Sequence, residues 1–485
     1  MPDHVLNLLW GKSELPLTLP EQWRLAGILE PCELPPVADV AAEMERSLAQ
    51  PSGSPRLRDL VHGGTRIALI VDDDSGPTPV AQLVPPLLRE LASGAVTADQ
   101  ITVVPALGLH RPMAAEELRA RVGPALDGMR WGNPDPDDPE RLTSLGTTSR
   151  GTPVYINKTV AGADLVILVG CIEPHIIASF GGGYKNLVPG VAGRETIAHN
   201  HSLNCTPSTF NMVGQPIEQN PMRLDLEEAG QLFKRPVFAV NAVLNSAVQV
   251  VSVVCGAPVA THRAGVQVSA GLYGVPVPAQ ADIVITDSHP MDQDLRQGVK
   301  ALANTIRAMR PGGVLITLVR AEEGVGVFGL ANRKLPLGRR ALKRLAPVLV
   351  RLVPRLKLQG MGEEDRFFLY FALQAMRLGR LVMYAPTIPA GVQANLPFVE
   401  FAATPEEALA IARGVFPGKA DVLVFPYGGV TYPIWRSDIS HPERQEYGRP
   451  RCRLRRRCRR PAWGEKGKKG PACNADCGNR VESAK

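Results

Sequence analysis

Residues 163–170 read ADLVILVG and run without a break into Cys171-Ile172-Glu173-Pro174-His175. The run is short for a helix and too uniformly apolar for a strand with one wet face. A short apolar run rich in β-branched residues and closed by glycine is what a strand buried on both faces requires. Two earlier stretches repeat the arrangement: residues 66–71 (RIALIV) lead into Asp72-Asp73-Asp74-Ser75-Gly76-Pro77, and residues 100–105 (QITVVP) into Ala106-Leu107-Gly108-Leu109-His110. Helical stretches at 80–93 and 114–122 separate these runs, and such alternation predicts a doubly wound sheet. Open α/β sheets bind ligands at the carboxyl ends of their strands, so the polar turns after the runs are the first place to look for a site.

A second series follows at residues 281–286 (ADIVIT), 313–319 (GVLITLV), 380–384 (RLVMY) and 420–425 (ADVLVF), with helix-like stretches at 294–309 and 365–378. Residues 237–255, rich in valine, are expected to form a β-hairpin. The expected fold class is therefore α/β with two domains, each a mainly parallel sheet flanked by helices, and the active site in the cleft between them. The boundaries fall at residues 1–265 and 266–435, followed by a basic tail at 436–485.

A chain of 485 residues exceeds what one ordinary core covers, which supports the division. The net charge of +7 suggests a polyanionic partner, but its distribution does not. Of 54 Lys+Arg and 47 Asp+Glu, fifteen and six lie in residues 436–485, which leaves the rest of the chain at a net −2. The basic character belongs to the tail, and nucleic acid is not an expected partner of the body. The tail is poor in apolar residues and is expected to be disordered. Its Cys452, Cys458, Cys473 and Cys477 are spaced CxxxxxC and CxxxC, unlike a common zinc finger. Cys32, Cys171, Cys205 and Cys255 are widely spaced, as expected of reduced thiols in a cytoplasmic protein. No run is long and apolar enough to span a bilayer, and residues 1–10 lack a basic leader pattern, so no membrane partner is expected.

The chemistry concentrates in residues 171–204, CIEPHIIASFGGGYKNLVPGVAGRETIAHNHSLN. Gly181, Gly182 and Gly183 would let backbone amides approach a phosphate closely, and Lys185 follows where a cation could meet it or attack an electrophile. The stretch is not a Walker A loop, because Asn186 stands where a magnesium-binding Ser/Thr would be. Alone, a glycine-rich turn before lysine is a weak signal. His199 and His201 form an HxH pair, which would share a face on a strand and diverge on a helix. A lone pair of this kind is more often structural than metal-binding. His110 and His175 each follow a strand end, and two imidazoles flanking one ligand would make an acid/base pair. Such a pair suits a racemase, which must serve both faces of a stereocentre.

Together, GLHRP (residues 108–112), EPH (173–175), GGGYKNLVPG (181–190) and AHNH (198–201) resemble the nickel-dependent lactate racemase family, across residues 6–434. The resemblance implies racemisation or epimerisation at C2 of a small-molecule 2-hydroxy acid. The hydroxyl proton leaves, the α-hydride moves to the cofactor, and its return to the other face inverts the centre. The implied cofactor is nickel held in a nickel-pincer nucleotide, a pyridinium thioamide/thiocarboxylate mononucleotide attached to Lys185. His201 matches the nickel ligand, and His110 and His175 match the acid/base pair. Asp73, Gly181, Gly182 and Gly183 would contact the cofactor, and His199 matches no ligand position. Domain 1–265 would then hold cofactor and catalysis, domain 266–435 the substrate cleft, and cofactor-synthesis proteins would be partners.

Two departures bear on the substrate. The family pattern Asp-x-Thr-Arg-Pro is Asp73-Asp74-Ser75-Gly76-Pro77 here, so glycine replaces the arginine expected to grip the substrate carboxylate. A carboxylate buried without a cation is costly. Tyr-Gln-x-x-Lys is Arg296-Gln297-Gly298-Val299-Lys300. Arg296, Gln297 and Lys300 are the substrate-binding candidates, with Arg296 supplying from the second domain the charge that Gly76 removes. The expected substrate is then a 2-hydroxy acid other than lactate. The alternative from another class is a catalytically idle binding protein that keeps the cofactor fold. Retention of His110, His175, Lys185 and His201 speaks against it.

Overall fold

A computed structural model of the chain describes residues 4–74, 76–326, 328–355 and 361–435. The tail at 436–485 with its four cysteines, and Ser75 of the acidic turn, lie outside the described residues.

Two six-stranded sheets organise the chain. The first has the order Val250–Gly256, Val237–Leu244, Leu165–Cys171, Ile67–Asp72, Ile101–Ala106, Arg130–Trp131. All neighbours are parallel except the outer hairpin of Val237–Leu244 with Val250–Gly256, as residues 237–255 predicted. Every residue of Leu165–Cys171 is buried, as a central strand covered on both faces demands. From Ile67–Asp72 the chain first builds outward to Ile101–Ala106, then returns to place Leu165–Cys171 on the other side. The crevice between Ile67–Asp72 and Leu165–Cys171 is therefore the point where strand order reverses, and the place where doubly wound sheets bind ligands.

The second sheet has the order Glu400–Ala402, Arg380–Tyr384, Met309–Leu318, Ala281–Asp287, Ala420–Phe425, Trp23–Ile28, all parallel. Its last strand comes from the N-terminal part of the chain. Residues 4–28 fell in the first unit by sequence, yet Trp23–Ile28 pairs with Ala420–Phe425. Leu6, Leu8, Leu17, Leu19 and Trp23 pack with Ile283, Ile316 and Val424 in one apolar cluster. An edge strand gains its partner from the far end of the chain, which local pattern does not encode.

Helix Leu295–Thr305 is shorter than the expected 294–309, because a 3-10 turn at Ile306–Ala308 leads into the next strand at Met309. Asp294 caps it by accepting from the Gln297 amide at 2.7 Å, which starts the helix one residue before Arg296. Among the described residues no helix is long and apolar enough to cross a membrane. Cys32, Cys171, Cys205 and Cys255 are thiols.

Candidate active site

A cavity of about 290 Å³ lies over the carboxyl ends of Ile67–Asp72, Ile101–Ala106 and Leu165–Cys171. His110, His175, Lys185, His201, Arg296, Gln297 and Lys300 all line it, with Asp73, Gly181 and Gly182. Residues from both sheets thus meet at one space, as the strand-end turns predicted for the first.

His110 stands on the turn after Ile101–Ala106. Gly108 adopts φ +57°, a left-handed conformation that glycine takes without steric cost, and its amide donates to the Gly190 carbonyl at 2.9 Å. That bond ties GLHRP to the end of GGGYKNLVPG. The His110 Nδ1 lies 2.5 Å from Asp73 Oδ2, and Arg296 donates from Nη2 to His110 Nε2 at 2.9 Å. A guanidinium only donates, so Nε2 is the acceptor and Nδ1 carries the proton shared with Asp73. Asp73, 5% exposed, therefore orients His110.

His175 is held the opposite way. The short hairpin of Pro174–His175 with Ser179–Phe180 folds residues 176–178 back over the ring. The amides of Ile177 and Ala178 donate to His175 Nδ1 at 3.2 and 3.1 Å, so its proton sits on Nε2. Burial pushes this imidazole well below its usual value, and Lys185, Lys300, Arg223 and His201 push the same way. One histidine thus presents an acceptor nitrogen and the other a donor.

Lys185 lies in a 3-10 turn, Gly183–Asn186. Burial pushes its ammonium down, against the pull of Asp72, so the amine is more readily neutral and nucleophilic. Gly181 and Gly182 of the triple glycine line the cavity. The Gly181 amide donates to Glu173 O at 2.8 Å and the Gly183 amide to Asn241 Oδ1 at 3.0 Å, so two of the three donors are spent inside the protein. Gly183 is absent from the cavity wall. A Cβ on Gly182 would stand 2.7 Å from Asn241 Oδ1, and close packing explains that glycine.

His199 and His201 sit on helix Arg194–Ser202 and diverge. His201 faces the cavity, whereas His199 Nδ1 meets Thr152 Oγ1 at 2.8 Å, a structural role. Among the described residues no three His, Cys, Asp or Glu side chains converge on a metal-sized point. A metal beside His201 would need donors from an organic group, and one imidazole plus a buried amine is a donor set that fits a lysine-tethered metal cofactor.

From the second sheet, Arg296 reaches His110 and Lys300 Nζ lies 4.0 Å from Glu173 Oε1. Gln297 Oε1 is buried with no hydrogen-bond partner among the described residues, a polar atom left for a ligand in the cavity it lines. Gly76 also lines the cavity, and a Cβ there would be 3.3 Å from Asp72 Oδ2.

Several positioning residues escaped the sequence reading. Asn186 Nδ2 donates to Asp72 Oδ1 at 2.7 Å and to Val169 O at 2.8 Å, pinning the lysine turn to two strands. Burial pushes the Asp72 carboxyl up, opposed by Thr78, Arg121, Asn186 and Lys185. Arg223, fully buried, donates to the carbonyls of Ala178, Phe180 and Gly182 and shapes the segment between His175 and Lys185. The Asp72-Asp73-Asp74 run was the available signal for the first carboxylates; nothing local marks Arg223.

Residues 10–211 match the family model described as the lactate racemase N-terminal domain. The lactate racemase of Thermoanaerobacterium thermosaccharolyticum is 30% identical over 329 residues, covering 67% of this chain and 76% of the relative. That of Lactiplantibacillus plantarum is 32% identical over 289 residues, covering 59% and 67%. The structure of the T. thermosaccharolyticum lactate racemase apoprotein superposes with a TM-score of 0.76 at 26% identity, covering 89% of this chain and 100% of that one. A Thermotoga maritima protein shares the fold alone, with a TM-score of 0.59 at 13% identity over 82% of this chain and 97% of that one. With the motifs of residues 108–201 gathered at one cavity and these relatives aligned through both sheets, the chain belongs to the lactate racemase family.

Proposed function

We propose that the chain racemises or epimerises C2 of a 2-hydroxy acid other than lactate, with a nickel-pincer nucleotide joined to Lys185. The observation that supports this is the Asp73–His110 pair, whose Nε2 is held by Arg296 at 2.9 Å beside the cavity that Lys185 and His201 also line. Lys185 would hold the nucleotide through its amine and His201 would ligate the nickel. When bound, that group supplies a hydride acceptor for the C2–H bond.

The remaining work falls to the protein. Once a substrate carboxylate draws the Arg296 guanidinium off His110 Nε2, a substrate hydroxyl that reaches both histidines can donate to that nitrogen and accept from the His175 Nε2–H. His110 then takes the hydroxyl proton, and Asp73 stabilises the imidazolium that forms. Protonated His110 returns the proton to oxygen when the C–H bond re-forms on the opposite face. The same path run in reverse serves the other enantiomer, with the His175 Nε2–H holding the oxygen throughout, because the two amides that donate to His175 Nδ1 oppose a proton there. Arg296, placed beside His110, and Lys300 are the cations available to the substrate carboxylate, in place of the arginine that Gly76 lacks. The reading places the chain in the cytoplasm, with cofactor-synthesis proteins as partners.

The test is to co-produce the chain with the cofactor-synthesis proteins and measure intact mass, nickel content and inversion of single-enantiomer 2-hydroxy acids. A covalent adduct, about one nickel per chain and inversion are expected together. A chain with neither adduct nor nickel that inverts no 2-hydroxy acid would overturn the proposal.

A further inference from the structure

We infer that the substrate is a 2-hydroxy acid with a sizeable apolar substituent at C2, branched aliphatic or aromatic. This rests on the reaction proposed above and names its substrate class.

The cavity has two chemically distinct walls. Among the described residues after 275, every one that lines the cavity is apolar apart from Arg296, Gln297 and Lys300. Phe328, Phe368, Phe371, Met383, Leu396 and Phe398 carry the argument. They are not scattered: Phe328 packs edge-on against Phe368 at 5.3 Å between ring centres, and Phe371 lies 5.5 Å from Phe210. The wall is preformed, with Phe328, Phe371 and Phe398 each under 9% exposed.

Close-packed interiors do not leave such space empty without loss of contacts. An apolar cavity of about 150 Å³ is large enough to take a benzene ring, and the whole cavity here is about 290 Å³. Part of the volume belongs to the cofactor. Its phosphate, hydroxyl and sulfur groups need cations or hydrogen-bond partners, and the phenylalanine wall has none. The polar side holding Lys185, His201 and His175 is where those groups find partners, so the phenylalanine wall is left to the substrate.

Orientation follows from the anchors. Arg296 and Lys300 stand on one helix, Leu295–Thr305, which also turns Leu295, Val299 and Leu302 to the cavity. A carboxylate held by the two cations would have its C2 substituent beside that apolar surface. A methyl group would leave most of the wall uncovered. A second carboxylate or a polyol chain would bury groups that the wall cannot pair.

The experiment uses the cofactor-loaded chain and compares kcat/KM for inversion of lactate, 2-hydroxy-4-methylpentanoate, 3-phenyllactate, malate and gluconate. The two apolar acids are expected to exceed the other three by at least about tenfold, the scale of one methylene in a fitted pocket. A second measurement fills the space. Ala372 lines the cavity on helix Glu363–Leu378, and Ala372→Leu adds bulk where there is room. It should lower kcat/KM for 3-phenyllactate about tenfold or more while lactate changes far less. Preference for lactate, malate or gluconate in the wild type overturns the substrate class and leaves the reaction standing. Equal effects of Ala372→Leu on 3-phenyllactate and lactate also overturn it. Adduct and nickel without inversion of any of the five acids overturns both.

Discussion

Asp73, His110, His175 and Lys185 stand on turns or loops that follow strands of the first sheet, whereas Phe328, Phe368, Phe371 and Phe398 reach the same cavity from the second half of the chain. On the first side each functional group is fixed by a hydrogen bond with a direction: Asp73 to His110, two amides to His175, Asn186 to Asp72. On the second side shape replaces direction, and among the described residues only Arg296, Gln297 and Lys300 interrupt an apolar surface. Chemistry needs atoms held at angles, which hydrogen bonds supply. Discrimination among side chains needs volume and dryness, which packing supplies. A substitution on the first side should therefore abolish turnover, and one on the second should redistribute it.

The sharpest break is at Lys185. In the loaded protein Lys185→Ala is expected to carry no covalent adduct by intact mass, whereas His201→Ala keeps the adduct and loses nickel. Equal covalent loading in Lys185→Ala and wild type would remove the lysine from its role.

Next come the two histidines. His110→Ala and His175→Ala should each slow inversion by about 10²-fold or more, the scale of acid–base catalysis. Asp73→Asn should do comparable damage with His110 intact, because a carboxamide can donate to Nδ1 and drive the ring proton onto Nε2. Circular dichroism unchanged with activity lost would identify a tautomer effect; near-wild-type rates in Asp73→Asn would end that assignment.

Arg296 lies between the two sides and should show an intermediate effect. Arg296→Ala is expected to lower kcat/KM by roughly 1.5–3 kcal/mol, the range of a charged hydrogen bond. A silent variant on every acid tested would show that Arg296 does not replace the arginine missing at Gly76.

The smallest effect is on stability against pH. Burial holds His175 and His262 well below the usual imidazole value, and His262 is fully buried behind Gly183. An unfolded histidine binds its proton near pH 6.5, which the folded chain resists. Stability is therefore full above that value and falls as pH drops, by at most about 1.4 kcal/mol per unit for each group. Urea unfolding followed from about pH 7 to pH 5 should show this slope, and His262→Asn should flatten it. An unchanged slope in His262→Asn would show that this histidine charges freely in the fold.

Much of this was legible in the residues themselves. Strands such as 163–170 announce their burial through composition, because a strand covered on both faces has no use for polar side chains, and the turns after them mark the ligand end of a parallel sheet. His110 and His175 were accessible because each follows a strand end, whereas Lys185 and His201 are weak signals alone and stood out only through the resemblance of their motifs to the lactate racemase family. Other features were set by partners distant in sequence. Trp23–Ile28 joins the second sheet because Ala420–Phe425 offers an unpaired edge. The Gly181 and Gly183 amides pair with Glu173 and Asn241, contacts that no local pattern announces. The opposite tautomers of His110 and His175 depend on which neighbours reach each ring nitrogen, Asp73 and Arg296 for one and two backbone amides for the other. Local sequence determines what a segment must bury and where it must turn; which nitrogen carries a proton and which wall stays dry depend on contacts that exist only once the chain has folded.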